Sequence, residues 1–455
     1  MLAAIDIRSI PKLPLRTKLI AFDCKGVVDR PRGPVGPAGP FAQEQIMSDE
    51  THGAAHVTRW IRNSAHPLAT VDADESLADL AALADRADGT VVVGVGATTR
   101  AGHELSATAH RILRFFVETQ GFRALALLDD ASVVAAMDDY ARTGAGDVRT
   151  ILADAWVPWR TAETLAVLEW AREFNKAHPH DPVRLFGLTP EAAKPAHYDR
   201  VTRFVETVAP QRIAELKSHY DPIVTAHRLG EHIQRANGTH PGRPFSGHAE
   251  DALALVESLP GAADAPEILE AARLIVRYHH NSTASGRRDF AAESADAARR
   301  IVDWHDRTGH RIVYWEGVSN TAVARELTVA AMAQRFPTTG YLLRDHFGSG
   351  YLSVAITFHH GNARADLAVP APPAGFADTV LDQPELGNYL LDLRGAPAGA
   401  VRQWLHRPAE LRLIIGTYSP DRDADHHISG AGLSDWFDVV VHIRTITPTR
   451  SLAEP

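Results

Sequence analysis

The sequence predicts an α/β protein with a mostly parallel central sheet, flanking helices and an inserted helical lobe. Two short apolar runs, at 91–95 and 124–127, enclose a segment with helical spacing, which is the pattern of a βαβ unit. Later apolar runs at 183–186, 311–315 and 351–358 also alternate with segments rich in helix formers. Such alternation is typical of parallel sheets that helices cover on both faces.

The connecting segments support this prediction. Leu105, Ile112 and Phe116 recur at helical spacing, so a helix is expected to pack on the sheet between the first two strands. Gly121 follows that helix as a C-terminal cap. Residues 190–300 contain several helical segments without clear strands, and we expect them to form the inserted lobe.

The chain divides into three regions. Residues 1–50 include a run of proline and glycine at 31–40 that fits neither a helix nor a paired strand, so a flexible leader is expected. Residues 51–450 are predicted to form the principal domain, with residues 451–455 as a short tail.

Composition narrows the classes of function. Of the 455 residues, 45% are hydrophobic and 23% are charged, which is ordinary for a globular protein. The formal net charge is −9 and no basic block is present, which argues against nucleic acid or an anionic membrane as the partner. Cys24 is the only cysteine, so an intrachain disulfide and a cysteine metal site are excluded.

No segment of the sequence has the pattern of a membrane span or a targeting signal. No apolar run approaches the roughly 18 residues that a membrane-spanning helix needs. The apolar run at 19–22 is too short for the core of a signal peptide. We therefore expect a cytoplasmic protein whose partner is a small-molecule metabolite.

Three motifs that bring a cofactor, a metal or a nucleophile to mind are incomplete. Gly94 and Gly96 follow a strand, but Thr99 stands where the third glycine of a dinucleotide-binding turn belongs. No Gly-x-Ser-x-Gly elbow is present to supply a serine nucleophile. The two side chains of an adjacent histidine pair point in different directions, so the pairs at 279–280, 359–360 and 426–427 are not expected to bind one metal ion. We expect neither a metal site nor a cofactor.

Polar side chains follow three of the predicted strands at the point where each strand ends. Because the carboxyl ends of parallel strands open onto the crevice where ligands bind, these side chains are the first candidates for a site. They are Arg100, His103 and Glu104 after the first strand, Asp129 and Asp130 after the second, and Glu316 and Asn320 after the strand at 311–315.

Taken in order, these segments resemble the erythromycin esterase family over roughly residues 57–450. The likeness includes the strand and turn at 90–104 and the segment 156–163, which resembles the family's Trp-x-Thr-x-Glu motif. It continues through the helix and strand at 340–358 and the closing strands at 390–394 and 437–443. The resemblance implies an α/β fold and ester hydrolysis by a water molecule that a histidine activates.

The same resemblance implies that several family residues are replaced here. The family has a glutamate and the histidine base after the first strand, where this chain has Ala97 and Arg100. Leu128 stands in place of a second glutamate, and Gly317 and Asn320 occupy two further histidine positions. Thr189 and Ala109 likewise replace an acidic and a basic residue. An arginine stays protonated and is not a base near neutral pH, so the usual water-activating groups are expected to be missing.

Four residues remain as candidates for catalysis. His103 and Glu104 are the nearest substitutes for the base. The alternatives are an ordinary surface histidine for His103 and a helix-capping carboxylate at the positive end of the dipole for Glu104. Asp129 and Asp130 follow the lost acid of the second strand, and either one is also a candidate N-cap of the next helix.

The remaining candidates are expected to contact the ligand. Arg100 is placed to bind a carboxylate or carbonyl oxygen, or else to pair with Glu104 four residues later. Under the resemblance, the segment with Trp156, Trp159, Arg160 and Glu163 borders the pocket, where the tryptophans stack on the substrate or serve only the fold. Glu316 and Asn320 complete the set of proposed ligand contacts.

Three hypotheses for function follow. The favoured one is a repurposed family member that binds a polyketide or macrolide-like metabolite and transforms it without hydrolysis, by cyclisation, isomerisation or elimination. The second is a hydrolase that uses His103 with Glu104 or Asp130. The third is a catalytically inactive binding protein that serves resistance or regulation.

Overall fold

A computed structural model describes residues 53–224, 242–284, 289–416 and 418–452. The flexible leader expected over residues 1–50 and residues 453–455 of the expected tail lie outside these ranges. Within the described ranges, no helix is both long enough and apolar enough to span a bilayer.

The centre of the protein is a nine-stranded, mostly parallel sheet. In spatial order its strands are β1 (His66–Pro67), β10 (Tyr389–Asp392), β13 (Val439–Ile446), β8 (Tyr351–Arg364), β2 (Val92–Ala97), β5 (Ile312–Gly317), β3 (Ala124–Asp130) and β4 (Arg184–Thr189), with β9 (Leu367–Val369) paired to β8. The six strands from β13 to β4 run parallel, whereas β1, β9 and β10 are antiparallel to their neighbours. The predicted α/β fold class is confirmed.

A second sheet was not predicted from the sequence. It is antiparallel and has the order β11 (Leu411–Arg412), β12 (His427–Ser429), β6 (Leu327–Val329) and β7 (Gln334–Phe336). Its strands have only two or three residues, too few for an alternating pattern to identify.

Helices cover both faces of the central sheet. The α-helices are α1 (53–64), α2 (Ala84–Ala87), α3 (His103–Gln120), α4 (Ala131–Thr143), α5 (Val148–Ala153), α6 (Ala162–Ala177), α7 (Pro195–Val208), α8 (Ile213–Tyr220), α9 (Phe245–Glu257), α10 (Pro266–Ala284), α11 (Phe290–Thr308), α12 (Val318–Thr321), α13 (Thr339–Phe347), α14 (Ala377–Leu381), α15 (Ala400–His406) and α16 (Leu433–Trp436).

Successive side chains of the central strands point to opposite faces of the sheet, so each face has its own hydrophobic core. Val93 and Val95 of β2 pack with α3 and α6, whose Leu113 and Leu168 are fully buried. On the other face, Tyr314 of β5 packs with α11 and α13. Helices α7 to α10 share a core of their own, which lies between β4 and β5 in the chain.

The order of the strands reverses at β2, and the expected crevice is the space beyond the carboxyl end of that strand. The chain leaves β2 toward β3 and β4 on one side, returns to β5, and then continues to β8 and β13 on the other side. A parallel sheet opens between its strand ends at such a reversal, and ligands bind there.

The two glycines of β2 are needed because other groups fill the space where side chains would lie. A Cβ atom on Gly94 would overlap the phenol oxygen of Tyr351, and one on Gly96 would overlap the hydroxyl of Thr321. Tyr351 is fully buried, and its hydroxyl donates to the carbonyl oxygen of Thr321 at 2.6 Å. Close packing across the sheet therefore explains these glycines, and no dinucleotide is required.

We expect Gly94→Ala to lower the free energy of unfolding by about 1–3 kcal/mol, because the added methyl group must displace a buried tyrosine. Gly395→Ala is the matched control, since its Cβ would meet nothing nearer than Asp392 Oδ2 at 3.6 Å. Urea unfolding of both variants measures the difference. Equal stability of the two variants would contradict the packing explanation.

Candidate active site

The polar residues at the crevice come from the ends of β2 and β5. Arg100 lies in the loop that joins β2 to α3, Glu316 is the next-to-last residue of β5, and Asn320 lies on the short helix α12. Strand β2 pairs with β5 in parallel register up to Ala97 and Gly317, so both strands end at the same level. This register brings the loop after β2 over the end of β5.

Arg100 and Glu316 form a buried ion pair. A terminal guanidinium nitrogen of Arg100 bonds Oε1 of Glu316, and Nδ2 of Asn320 donates to the same oxygen at 3.0 Å. The Glu316 side chain is only 1% exposed, and its Oε2 has no hydrogen-bond partner among the described residues. A carboxylate this deep in the protein requires the adjacent cation to stay charged.

Two tryptophans pack around the Arg100 guanidinium. Its central carbon lies 4.7 Å from the ring centroid of Trp156 and 6.0 Å from that of Trp159. Trp159 is buried and meets Trp315 edge to face, whereas Trp156 is 41% exposed. The guanidinium is therefore fixed by an indole face and a carboxylate, and the exposed indole forms part of the rim of the crevice.

His103 and Glu163 form a second polar pair. Nδ1 of His103 lies 2.7 Å from Oε1 of Glu163. The Glu163 side chain is 4% exposed and the His103 side chain 35% exposed, so a buried carboxylate holds a partly accessible imidazole. Both oxygens of Glu163 also accept from the backbone N–H of Arg450, at 3.3 and 3.2 Å.

Helix geometry puts this pair together. His103 is the first residue of α3, and Glu163 lies in the first turn of α6, which Thr161 caps through its hydroxyl. A carboxylate is favoured at the positive end of a helix dipole. Because both helices start at the carboxyl edge of the sheet, their first turns lie close enough for the side chains to meet.

Arg100 and His103 both contact the segment at 156–163. They are three residues apart, and the residues that they contact in that segment, Trp159 and Glu163, are four residues apart. The loop at 100–103 and the segment at 156–163 therefore contact one another at both ends.

The other acidic candidates bond to the backbone. Asp129 accepts from the N–H groups of Trp156 at 2.9 Å and Asp130 at 2.7 Å. Burial raises the pKa of the Asp129 carboxyl, and these two N–H donors partly oppose the rise. Asp130 is the N-cap of α4 and accepts from Ser132 N at 2.8 Å and Ala192 N at 2.6 Å. Asp129 thus holds the backbone at Trp156 in place. Asp130 caps α4, which is the second of the two roles predicted for it.

Three expected pairings are corrected by the structure. Glu104 bonds neither His103 nor Arg100, because its carboxylate accepts from the N–H and hydroxyl of Thr447 at 2.6 and 2.7 Å. The imidazole of His103 meets Glu163 and not Asp130. Arg160 donates from its Nε to the Ala155 carbonyl at 2.7 Å, and its role as a ligand contact stays a prediction.

Glu163 was not singled out by the sequence as the partner of His103. The two residues are 60 positions apart, and no spacing rule connects them. The only signal was the likeness of the segment 156–163 to the Trp-x-Thr-x-Glu motif, which placed Glu163 at the border of the pocket. Among the described residues, no three histidine, cysteine, aspartate or glutamate side chains are grouped so as to hold a metal ion.

Comparison with known proteins identifies the family. The model of the erythromycin esterase family matches residues 117–446, which is well over half of the chain. The chain belongs to the erythromycin esterase family. No curated protein matches the sequence.

Three solved structures share the fold of this erythromycin esterase family member. A protein from Bacillus cereus has 19% identity and a TM-score of 0.65, and a succinoglycan biosynthesis protein has 18% identity and a TM-score of 0.66. Both alignments cover 88% of this chain and 99% of the other. A mutant of the erythromycin esterase EreC, in its open conformation, has 14% identity and a TM-score of 0.55, with 83% and 96% covered.

We expect Arg100→Met to destabilise this family member by about 2–4 kcal/mol, because the change leaves the carboxylate of Glu316 buried without its cation. The double variant Arg100→Met/Glu316→Gln removes both charges and should recover more than half of that loss. Denaturant unfolding of the two single variants and the double variant gives the coupling energy. Additive effects of the two substitutions would show that the ion pair contributes nothing to folding.

Proposed function

We propose that this member of the erythromycin esterase family hydrolyses an ester bond in a polyketide or macrolide-like metabolite, with His103 as the base that activates water. The observation that carries the proposal is the 2.7 Å contact between Nδ1 of His103 and the buried carboxylate of Glu163. It is the pairing of imidazole and carboxylate that general-base catalysis needs.

The contact fixes the tautomer of the imidazole. A carboxylate only accepts hydrogen bonds, so Nδ1 carries a proton and donates it to Glu163. Nε2 is then the atom with the free electron pair, and it makes no hydrogen bond to the described residues. Because the side chain is 35% exposed, a water molecule is able to reach Nε2 and transfer a proton to it.

Arg100 is suited to the negative charge that forms on the ester carbonyl oxygen. Its guanidinium lies three residues from the base and is held by Glu316 and Trp156, so it needs little rearrangement when the charge develops. Preorganised donors of this kind stabilise a transition state more than flexible ones do. The Arg100 side chain as a whole is 20% exposed.

The rim of the crevice supports an apolar substrate. Trp156 and Val157 are 41% and 67% exposed, and they are adjacent in the chain beside Arg100. An indole and an isopropyl group exposed together suit a large hydrophobic ring or chain. The name of the structural relative EreC, an erythromycin esterase, supports a macrolide-like ester as the first substrate to test.

A second candidate function is a non-hydrolytic reaction of the same metabolite, such as cyclisation, isomerisation or elimination. The observation in its favour is that Ala97, Leu128 and Gly317 have no ionisable side chain at the positions where the resemblance places the family's water-activating residues. The crevice then offers a single proton-transfer pair beside Arg100, which is sufficient for a reaction that adds no water.

Isotopic labelling separates these candidates. Purified protein is incubated with macrolide lactones and simple apolar esters in ¹⁸O water, and the products are analysed by mass spectrometry. Hydrolysis puts one ¹⁸O atom into the carboxylic acid product. A product with the substrate's mass, or one lighter by water and without label, supports the second candidate, and binding without any product supports the inactive binding protein.

We expect His103→Gln to lower kcat/KM by about 10²- to 10⁴-fold, the usual contribution of a general base. Glu163→Gln should lower it less, because glutamine still accepts one hydrogen bond but no longer stabilises an imidazolium ion. His180→Gln, at an exposed loop position, is the matched control and should leave the rate unchanged. A full rate in His103→Gln would rule out the proposed base.

A further inference from the structure

We propose that residues 447–452, called the strap below, position the His103–Glu163 pair, with Thr447 and Arg450 as positioning residues. The proposal rests on the proposed function for its effect on rate, but the geometry that it predicts is measurable without a substrate. The strap follows β13 directly and crosses the first turns of both α3 and α6.

Four contacts attach the strap to the start of α3. The backbone N–H of His103 donates to the carbonyl of Thr447 at 2.8 Å, and Thr449 N donates to the carbonyl of Ala101 at 2.9 Å. In return, the N–H and hydroxyl of Thr447 both donate to the carboxylate of Glu104. The residue that carries the imidazole is therefore bonded to the strap through its own backbone, and its neighbour is bonded through its side chain.

The other end of the strap is attached to the start of α6. Ala162 N donates to the carbonyl of Arg450 at 2.8 Å, and Leu452 N donates to the carbonyl of Arg160 at 3.0 Å. Arg450 N donates to both oxygens of Glu163. The carboxylate is thus held by the strap and by the imidazole at the same time.

These contacts matter because the two members of the pair lie on different helices. Their separation depends on how α3 and α6 are placed, and a displacement of about 1 Å is enough to cost a reaction 10²-fold. The strap bonds the first turn of each helix and continues into a central strand of the sheet. One short segment therefore sets both the spacing of the helices and the direction of the Glu163 carboxylate.

Two truncated proteins and one substitution test the proposal. Ending the chain after Thr449 removes the N–H and carbonyl of Arg450 and the N–H of Leu452. Ending it after Leu452 keeps every contact described above and is the matched control. Thr447→Val retains the shape of the side chain and removes only the hydroxyl bond to Glu104, so it provides a milder change if the shorter protein does not fold.

The readout is the tautomer of His103, measured by ¹⁵N NMR of histidine-labelled protein and assigned with His103→Gln. In the control we expect the proton on Nδ1. In the protein that ends after Thr449 we expect a mixture of Nδ1 and Nε2 protonation, and in Thr447→Val a smaller change in the same direction. An unchanged His103 signal in both variants, with the fold intact by circular dichroism, would overturn the proposal.

Rate measurements distinguish the failure of this proposal from the failure of the proposed function. If the pair is catalytic, loss of the strap contacts should lower kcat by about 10- to 100-fold while KM changes little, since the ligand-binding groups at Arg100 are not altered. A changed tautomer with no change in turnover supports the strap and argues against His103 as the base. An unchanged tautomer with lost turnover contradicts the strap.

Discussion

The buried carboxylate of Glu316 is the constraint on which the crevice depends. An unpaired charge at that depth costs several kcal/mol, so the loop after β2 must bring a cation to it. Arg100 meets this need, and its guanidinium lies beside Gly317, where a Cβ atom would stand 3.5 Å from a terminal nitrogen. The loop after β2 and the end of β5 are thus parts of one arrangement.

The sequence predicted the parts of the fold that have a clear period. Strands β2, β3, β4, β5 and β8 follow from apolar runs, and α3 follows from its helical spacing and Gly121 cap. The four-stranded second sheet did not follow, because its short strands are defined by tertiary pairing and not by a local pattern. The sequence left two roles open for Asp130, since an N-cap residue and an acidic residue at a strand end have the same sequence signature.

For the candidate site, the sequence identified residues but not their partners. Arg100, His103, Glu316 and Asn320 were all marked by their place after a strand. The first three lie in the two polar pairs, and Asn320 donates to Glu316. The pairing of Arg100 with Glu316 and of His103 with Glu163 depends on strand register and helix placement, which connect residues 216 and 60 positions apart. Local sequence rules instead favoured Glu104 as the partner of Arg100 or His103. Its carboxylate bonds Thr447, which lies more than 300 residues later.

The exposed indole of Trp156 has a practical consequence. All eight tryptophans lie within the described ranges, and Trp156 is the one that is exposed. Its fluorescence should therefore be the most sensitive to added quenchers, and it lies directly over Arg100. A molecule that enters the crevice would shield this chromophore from iodide or acrylamide, so the protein carries its own optical reporter for ligand screening.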